Sequence, residues 1–367
     1  MKIDQIILTH VRVPLTEPFK ISNGEITEKD AILVGVHSEG LVGYGESSPM
    51  SGAFYSEETP ESTWDCLVGE LIPRILRSHP ANVEEVNRLL DSVAGNAFAK
   101  AGIETAFWDL AAQKEGVPLY RHLGGKRNSV ESGLAMGIVP SIKYLLQSIE
   151  QHLDEGYKRL KIKIQPGWDI KPLAEIRNKF GSIQLMVDAN CAYTQADLPH
   201  LKALDDFDLM MIEQPLPKDD LEGHAKLQAI SRTPVCLDES AKDVPTVQKA
   251  IALKSCKIVN IKIQRVGGLL NAKRIHDLCA EAGIPVWGGT MPELGIGGAQ
   301  TVHMATLDNF TYPTDVESSK RWFVEDIIDP LIEVHDGMIT LPAGNGNGYS
   351  LNTRVIARYK VREQHFR

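Results

Sequence analysis

QLMVDAN at residues 184–190, LMMIEQP at 209–215 and PVCLDES at 234–240 decide how this chain folds. Each is a short apolar run closing on an acid, and Asp188, Glu213 and Asp238 follow one another at intervals of 25 residues. A strand, a crossover helix and two turns take about that length, so one acid falls at the end of each successive βα unit. The period extends both ways through SGLAMGIV (132–139), RLKIKI (159–164), IVNIKI (258–263), PVWGGTM (285–291) and the shorter YPTDVE (312–317). With Met136, Lys163, Asp188, Glu213, Asp238, Lys262, Gly288 and Asp315 as markers, the steps are 27, 25, 25, 25, 24, 26 and 27 residues. Eight parallel strands at this spacing predict an α/β fold, a (β/α)8-type barrel whose site lies where the strands end.

The flanks do not keep this period. Residues 1–125 open with strand-like alternation and a turn region at Gly40–Gly45. They continue into AKAGIETAFWDLAAQKEGVPL, whose apolar spacing predicts a helix stopping at Gly116 and Pro118. We therefore expect an N-terminal α+β capping domain over 1–125, the barrel with its metal site over 126–330, and a C-terminal segment, 331–367, returning to the cap. Such a cap covers the barrel mouth and excludes water. The segments around Phe19–Gly24 and Ser48–Tyr55 are candidate lids, and Phe19, Ser22, Phe54 and Tyr55 are their candidate substrate contacts.

Composition narrows the function classes. A formal net charge of −9, from 39 basic and 48 acidic side chains, argues against a general attraction to nucleic-acid phosphates. No run of 18 apolar residues predicts a membrane span, and MKIDQIILTHVRVPL carries too many polar residues for a signal peptide. Five cysteines, Cys66, Cys191, Cys236, Cys256 and Cys279, form no CxxC pair, which points to a reducing cytoplasm.

A lone acid at a strand end reads as a solvated loop residue; three in register read as a metal site. With no cysteine or histidine beside them, they make a hard oxygen site suited to Mg²⁺, with Mn²⁺ as its substitute. Lysines flank the trio. Lys161 and Lys163 lie two apart in RLKIKI, with Ile162 and Ile164 between and after them, so both lysines face the barrel interior; Lys262 in NIKIQ does the same. A substrate carboxylate between Lys163 and Lys262 meets one lysine on each face. That arrangement suits removal of the proton α to the carboxylate, giving an enediolate, with Lys163 as base and Lys262 as the opposite acid, base or stabiliser. Lys161, adjacent and cationic, is expected to lower the pKa of Lys163.

At these residues the chain resembles the enolase superfamily, muconate-lactonizing subgroup, and within it the o-succinylbenzoate synthase and N-succinylamino acid racemase family. The stretches that carry the resemblance include SGAFYSEET, KIKIQPGWD, LMVDAN, LMMIEQPL, CLDES, CKIVNIKIQRVGG and ESSKRWFVEDI, nearly end to end. It implies Mg²⁺ ligands at Asp188, Glu213 and Asp238 and catalytic lysines at 161, 163 and 262. It also implies supporting roles for Asn190, Glu239 and Glu293, a small carboxylate substrate, and a homo-oligomer. Ile263, Gln264 and the stretch Gly289–Gly298 depart from the family pattern at the expected pocket floor, so they bear on the substrate and leave the metal chemistry intact. The activity implied is o-succinylbenzoate synthesis by syn dehydration, a step of menaquinone biosynthesis. N-succinylamino acid racemisation or another muconate-cycloisomerase-like reaction is the alternative. Asp315-Val316-Glu317, in place of an Asp-x-Asp pair, counts against a dipeptide epimerase. A non-catalytic carboxylate-binding barrel is the remote alternative.

Overall fold

The computed structural model describes residues 2–21, 24–52 and 56–367. The chain opens as an antiparallel sheet of β1 (Gln5–Ile21), β2 (Gly24–Ser38) and β3 (Leu41–Ser47). The β2–β3 hairpin turns at Glu39 and Gly40, both at positive φ, as a tight two-residue hairpin requires. Gly43 and Gly45, expected to belong to the turn, instead lie within β3. Helix α1 (Ala97–Glu115) crosses them so closely that a Cβ would stand 2.2 and 2.0 Å from the carbonyl oxygens of Ala106 and Gly102. The helix stops where expected, with Gly116 in the left-handed region at φ 74°.

The barrel strands are β4 (Gly133–Met136), β5 (Arg159–Lys163), β6 (Gln184–Asp188), β7 (Ile212–Glu213), β8 (Val235–Leu237), β9 (Ile258–Ile261) and β10 (Val286–Gly288). They form one parallel sheet in chain order, with a helix between each strand and the next. The eighth segment completes the ring by bridges rather than as a full strand. Gly133 donates its backbone N–H to Thr314 at 2.7 Å, and Asp315 donates to Gly288 at 2.9 Å. Pro313 has no N–H to offer a ladder, which limits the pairing there.

Strand alternation separates two cores. Met186, Met211, Cys236, Ile258 and Trp287 pack on one another inside the barrel. Ile162, Val187, Ile212, Leu237 and Val259 point the other way and join the core beneath the helices. Asp188, Glu213 and Asp238 stand two residues beyond Met186, Met211 and Cys236, so they extend the interior face by one layer. At the C-terminus, β11 (Lys360–Phe366) pairs antiparallel with β1, from Ile6 opposite Phe366. Before it, Asn347 donates its backbone N–H to Asp109 of α1 at 2.6 Å. The tail thus completes the N-terminal sheet. Among the described residues no helix is long and apolar enough to cross a membrane.

The turn into β8, which carries the third acid, is fixed by one carboxylate. Asp205 accepts from the backbone N–H groups of Arg232 and Thr233 at 2.9 and 2.8 Å, and from the Ser231 and Thr233 hydroxyls at 2.7 Å each. These donors hold its carboxyl down to about 2 against the opposing effect of burial. Asp205→Ala is expected to destabilise the protein by about 2 kcal/mol, read as a lower urea midpoint at pH 7; an unchanged midpoint would remove this role. Because the folded-state pKa is depressed, the charge-dependent part of this stability is present above the unfolded value near 4 and is lost as pH falls towards 2.

Candidate active site

The register sets the acids side by side: Lys163 opposite Asp188, Asp188 opposite Glu213, and Glu213 opposite Cys236, two residues before Asp238. Lys161, Lys163 and Lys262 line one cavity, closed by Phe19 and Met50 from the N-terminal domain and by Trp322. Lys163 enters at the end of β5 and Lys262 just beyond β9, with the three acid-bearing strands between them. All six side chains are buried. Phe19 meets Trp322 edge-on at 4.9 Å, and both also border an adjoining groove of about 400 Å³ with Met136 and Val139.

Each lysine is matched to an acid. Lys163 lies 2.5 Å from Asp188, and Lys262 lies 3.0 Å from Asp238. Arg265 takes the other Asp238 oxygen at 2.6 Å. Burial alone would raise the Asp238 carboxyl, but Arg265 and then Lys262 outweigh it and hold it well below the usual carboxylate range. Lys161 bonds to Asp315 and lies 3.2 Å from Glu213 and 3.8 Å from Asp188. Burial would lower its pKa; Asp315, Glu213 and Asp188 outweigh burial and keep it charged far above the ordinary lysine value. Three carboxylates thus surround the Lys161 ammonium and balance its charge.

Several functional neighbours escaped the sequence reading. Arg159, on the interior face two residues before Lys161, forms an ion pair with Asp315 at 2.8 Å and lies over the Trp287 ring at 5.3 Å. Gly133 makes room for it, since a Cβ there would stand 2.2 Å from the guanidinium. Asn260 donates to Glu213 at 2.7 Å and accepts from the Gly289 N–H at 2.8 Å, fixing the Glu213 rotamer. Gln214 accepts from the N–H groups of Asp238 and Ser240 at 2.9 and 3.1 Å. The only sequence signal for Arg159 and Asn260 was parity, both being two residues from an interior lysine.

The remaining candidates divide. Asn190, at positive φ, donates its backbone N–H to Asp188 at 2.9 Å and its side-chain amide to Glu239 at 3.1 Å. Burial first, then Asp238 and Asp188, push Glu239 up to about 7, and among the described residues its Oε2 has no hydrogen-bond partner. Glu293 lies buried under the loop after β10 and accepts from the Met291 N–H at 2.9 Å. Gln264 is turned from the cavity to the N-terminal domain, accepting from Ser48 N–H at 3.0 Å and donating to the Glu46 carbonyl at 2.7 Å. Ser22, Phe54 and Tyr55 lie outside the described residues.

These donors fit a hard divalent cation. All three acids offer carboxylate oxygens, and each is at most 1% exposed. Burial, and next the charge of Asp188, push Glu213 up to about 8; a divalent ion would offset both the buried charge and its crowding by a like one. Among the described residues the acid oxygens are not gathered into a closed ligand set, since each acid turns an oxygen to a lysine, an arginine or an asparagine.

Comparison with known proteins agrees with this geometry. Residues 3–124 match the mandelate racemase / muconate lactonizing enzyme N-terminal domain, and residues 145–355 match the enolase C-terminal domain-like family. The chain is 46% identical over 360 residues to an o-succinylbenzoate synthase of Geobacillus stearothermophilus, covering 98% of this chain and 96% of that one. It is 42% identical over 358 residues to an N-succinylamino acid racemase of Thermus thermophilus, covering 98% and 97%. A solved enolase-superfamily member from Listeria innocua superposes with a TM-score of 0.96 at 36% identity, covering 100% of this chain and 99% of that one. With both halves matched and relatives this similar along its whole length, the chain belongs to the enolase superfamily, in its mandelate racemase / muconate lactonizing enzyme branch.

Proposed function

We propose that the chain removes the proton α to a substrate carboxylate and that its reaction is the syn dehydration that forms o-succinylbenzoate, a step of menaquinone biosynthesis. The observation that carries this reading is the pair Lys163 and Lys262, facing one cavity across three buried acids. Asp188, Glu213 and Asp238 would hold Mg²⁺, which when bound supplies positive charge to those carboxylates and to the enediolate. Lys163, neutral, takes the proton on its face. As an ammonium on that same face it returns the proton to the departing hydroxide, which leaves as water while the double bond forms. Lys262 stands opposite as a cation that stabilises negative charge. Lys161, locked among Asp315, Glu213 and Asp188, serves as fixed charge and not as a base.

Racemisation of N-succinylamino acids is the second reading, favoured by the placement of one lysine on each side. There Lys163 removes the proton and Lys262 delivers one to the other face, or the reverse. The Thermus and Amycolatopsis relatives named for that reaction support keeping it. The test is the Mg²⁺-dependent dehydration of 2-succinyl-6-hydroxy-2,4-cyclohexadiene-1-carboxylate, followed by ultraviolet absorbance. Fast turnover supports the synthase; a negligible rate, with α-proton exchange into N-succinylamino acids in deuterated water, moves the assignment to the racemase. Neither activity would return the chain to a carboxylate-binding barrel.

The same reading divides the chain into cap (1–125 with 331–367) and barrel (126–330). It places the protein in the cytoplasm, supported by five cysteines that are all free, and includes a homo-oligomer.

A further inference from the structure

Lys29 of β2 is fully buried, yet it lies outside the catalytic cavity. Its ammonium donates to three backbone carbonyls: Ser48 at 2.9 Å, Pro49 at 3.2 Å and Met291 at 3.3 Å. The first two directly precede Met50, and the third sits between Thr290 and Pro292; Met50, Thr290 and Pro292 all line the catalytic cavity. We propose that Lys29 is a positioning residue that clamps the cap loop carrying Met50 to the barrel loop carrying Thr290 and Pro292, and so sets the pocket wall. This rests on the α-proton chemistry proposed above.

Filling space does not account for a lysine here. A buried ammonium loses its hydration, and an apolar side chain of the same length would occupy the position without that cost. Two nearby acids are committed elsewhere. Glu46 bonds the Ser48 hydroxyl and accepts from the N–H groups of Leu294 and Gly297 at 2.8 Å each, at the start of α2 (Gly295–Met304). Glu293 accepts from Met291 N–H. Lys29 is thus left with three protons for three carbonyls, two on one domain and one on the other. Gln264 ties the two parts in the reverse sense, from barrel to cap. Burial lowers the Lys29 pKa to about 8, partly offset by Glu293, Glu46 and Asp30. As pH rises through that value the group becomes an amine with two donors facing three carbonyls.

The experiment uses the full chain with Lys29→Met and Lys29→Gln. Lys29→Met should raise KM about tenfold, with a smaller change in kcat, because Lys29 touches no reacting atom; Lys29→Gln should fall between. Wild-type KM should climb above pH 8, and both variants should lose that rise. Hydrogen exchange over residues 290–297 reads the clamp without turnover and should speed up in Lys29→Met. Wild-type KM and exchange in Lys29→Met would overturn the clamp. If neither variant folds, the wild type decides: protection over 290–297 should weaken above pH 8 relative to α1, and equal behaviour of the two segments overturns the proposal. A wild type with no turnover would overturn the proposed reaction, while the exchange data still judge Lys29.

Discussion

Lys163→Ala is expected to lower kcat by about 10³–10⁴-fold, the size of a lost general base, while the protein stays folded. The fold should tolerate it because Lys163 sits at the cavity wall and its partner Asp188 keeps the Asn190 N–H bond at 2.9 Å. Steady-state kinetics with a thermal melt as control makes the measurement, and residual activity within tenfold of wild type would remove Lys163 from the role of base. Lys262→Ala sharpens it. In a dehydration that runs on one face, Lys262 contributes charge only and its loss should cost less than that of Lys163. In a racemisation both losses should be comparable, because each lysine serves one direction. Exchange of the α-proton in deuterated water separates the two: Lys262→Ala would retain exchange from one enantiomer and lose it from the other.

That both lysines and the three acids were legible in the sequence follows from strand geometry. A side-chain period of two and a repeat near 25 residues fix the strand, the face and the end for each residue without any tertiary contact. Asp315 was legible as a strand-end marker only. That it grips Lys161 and Arg159 depends on the chain closing between β10 and β4, and closure is a property of the whole ring. The same limit hid Asn260, whose neighbour Glu213 is 47 residues away, and Lys29, whose third carbonyl is 262 residues away. The glycines at 43 and 45 were misplaced for a related reason. A glycine in a turn and a glycine under a crossing helix look alike until α1 is seen lying on β3. The carboxylates around Lys161 were hidden for the same reason, since Asp315, Glu213 and Asp188 come from three other strands.

Asp238→Asn should have the second large effect. The carboxylate is fully buried and stands at the centre of a chain of opposite charges, with Lys262 at 3.0 Å and Arg265 at 2.6 Å. Replacing it by an amide keeps the shape but removes the charge that both cations share, and removing one partner of a buried pair costs about 3–5 kcal/mol. Two consequences should appear together. The melting temperature should fall, since the cations then face each other across a neutral group. Mg²⁺, titrated by calorimetry and by the concentration needed for half-maximal rate, should bind at least about tenfold more weakly, because a site of three anionic oxygens becomes one of two. The ordering of these effects is informative. A lower melting temperature with an unchanged Mg²⁺ requirement would make Asp238 the counter-ion of Lys262 and Arg265 and nothing more, leaving Asp188 and Glu213 to hold the metal. Both changes together would mean that one carboxylate balances the lysine on its face while serving the ion, which ties the charge of Lys262, opposite Lys163, to the occupancy of the metal site.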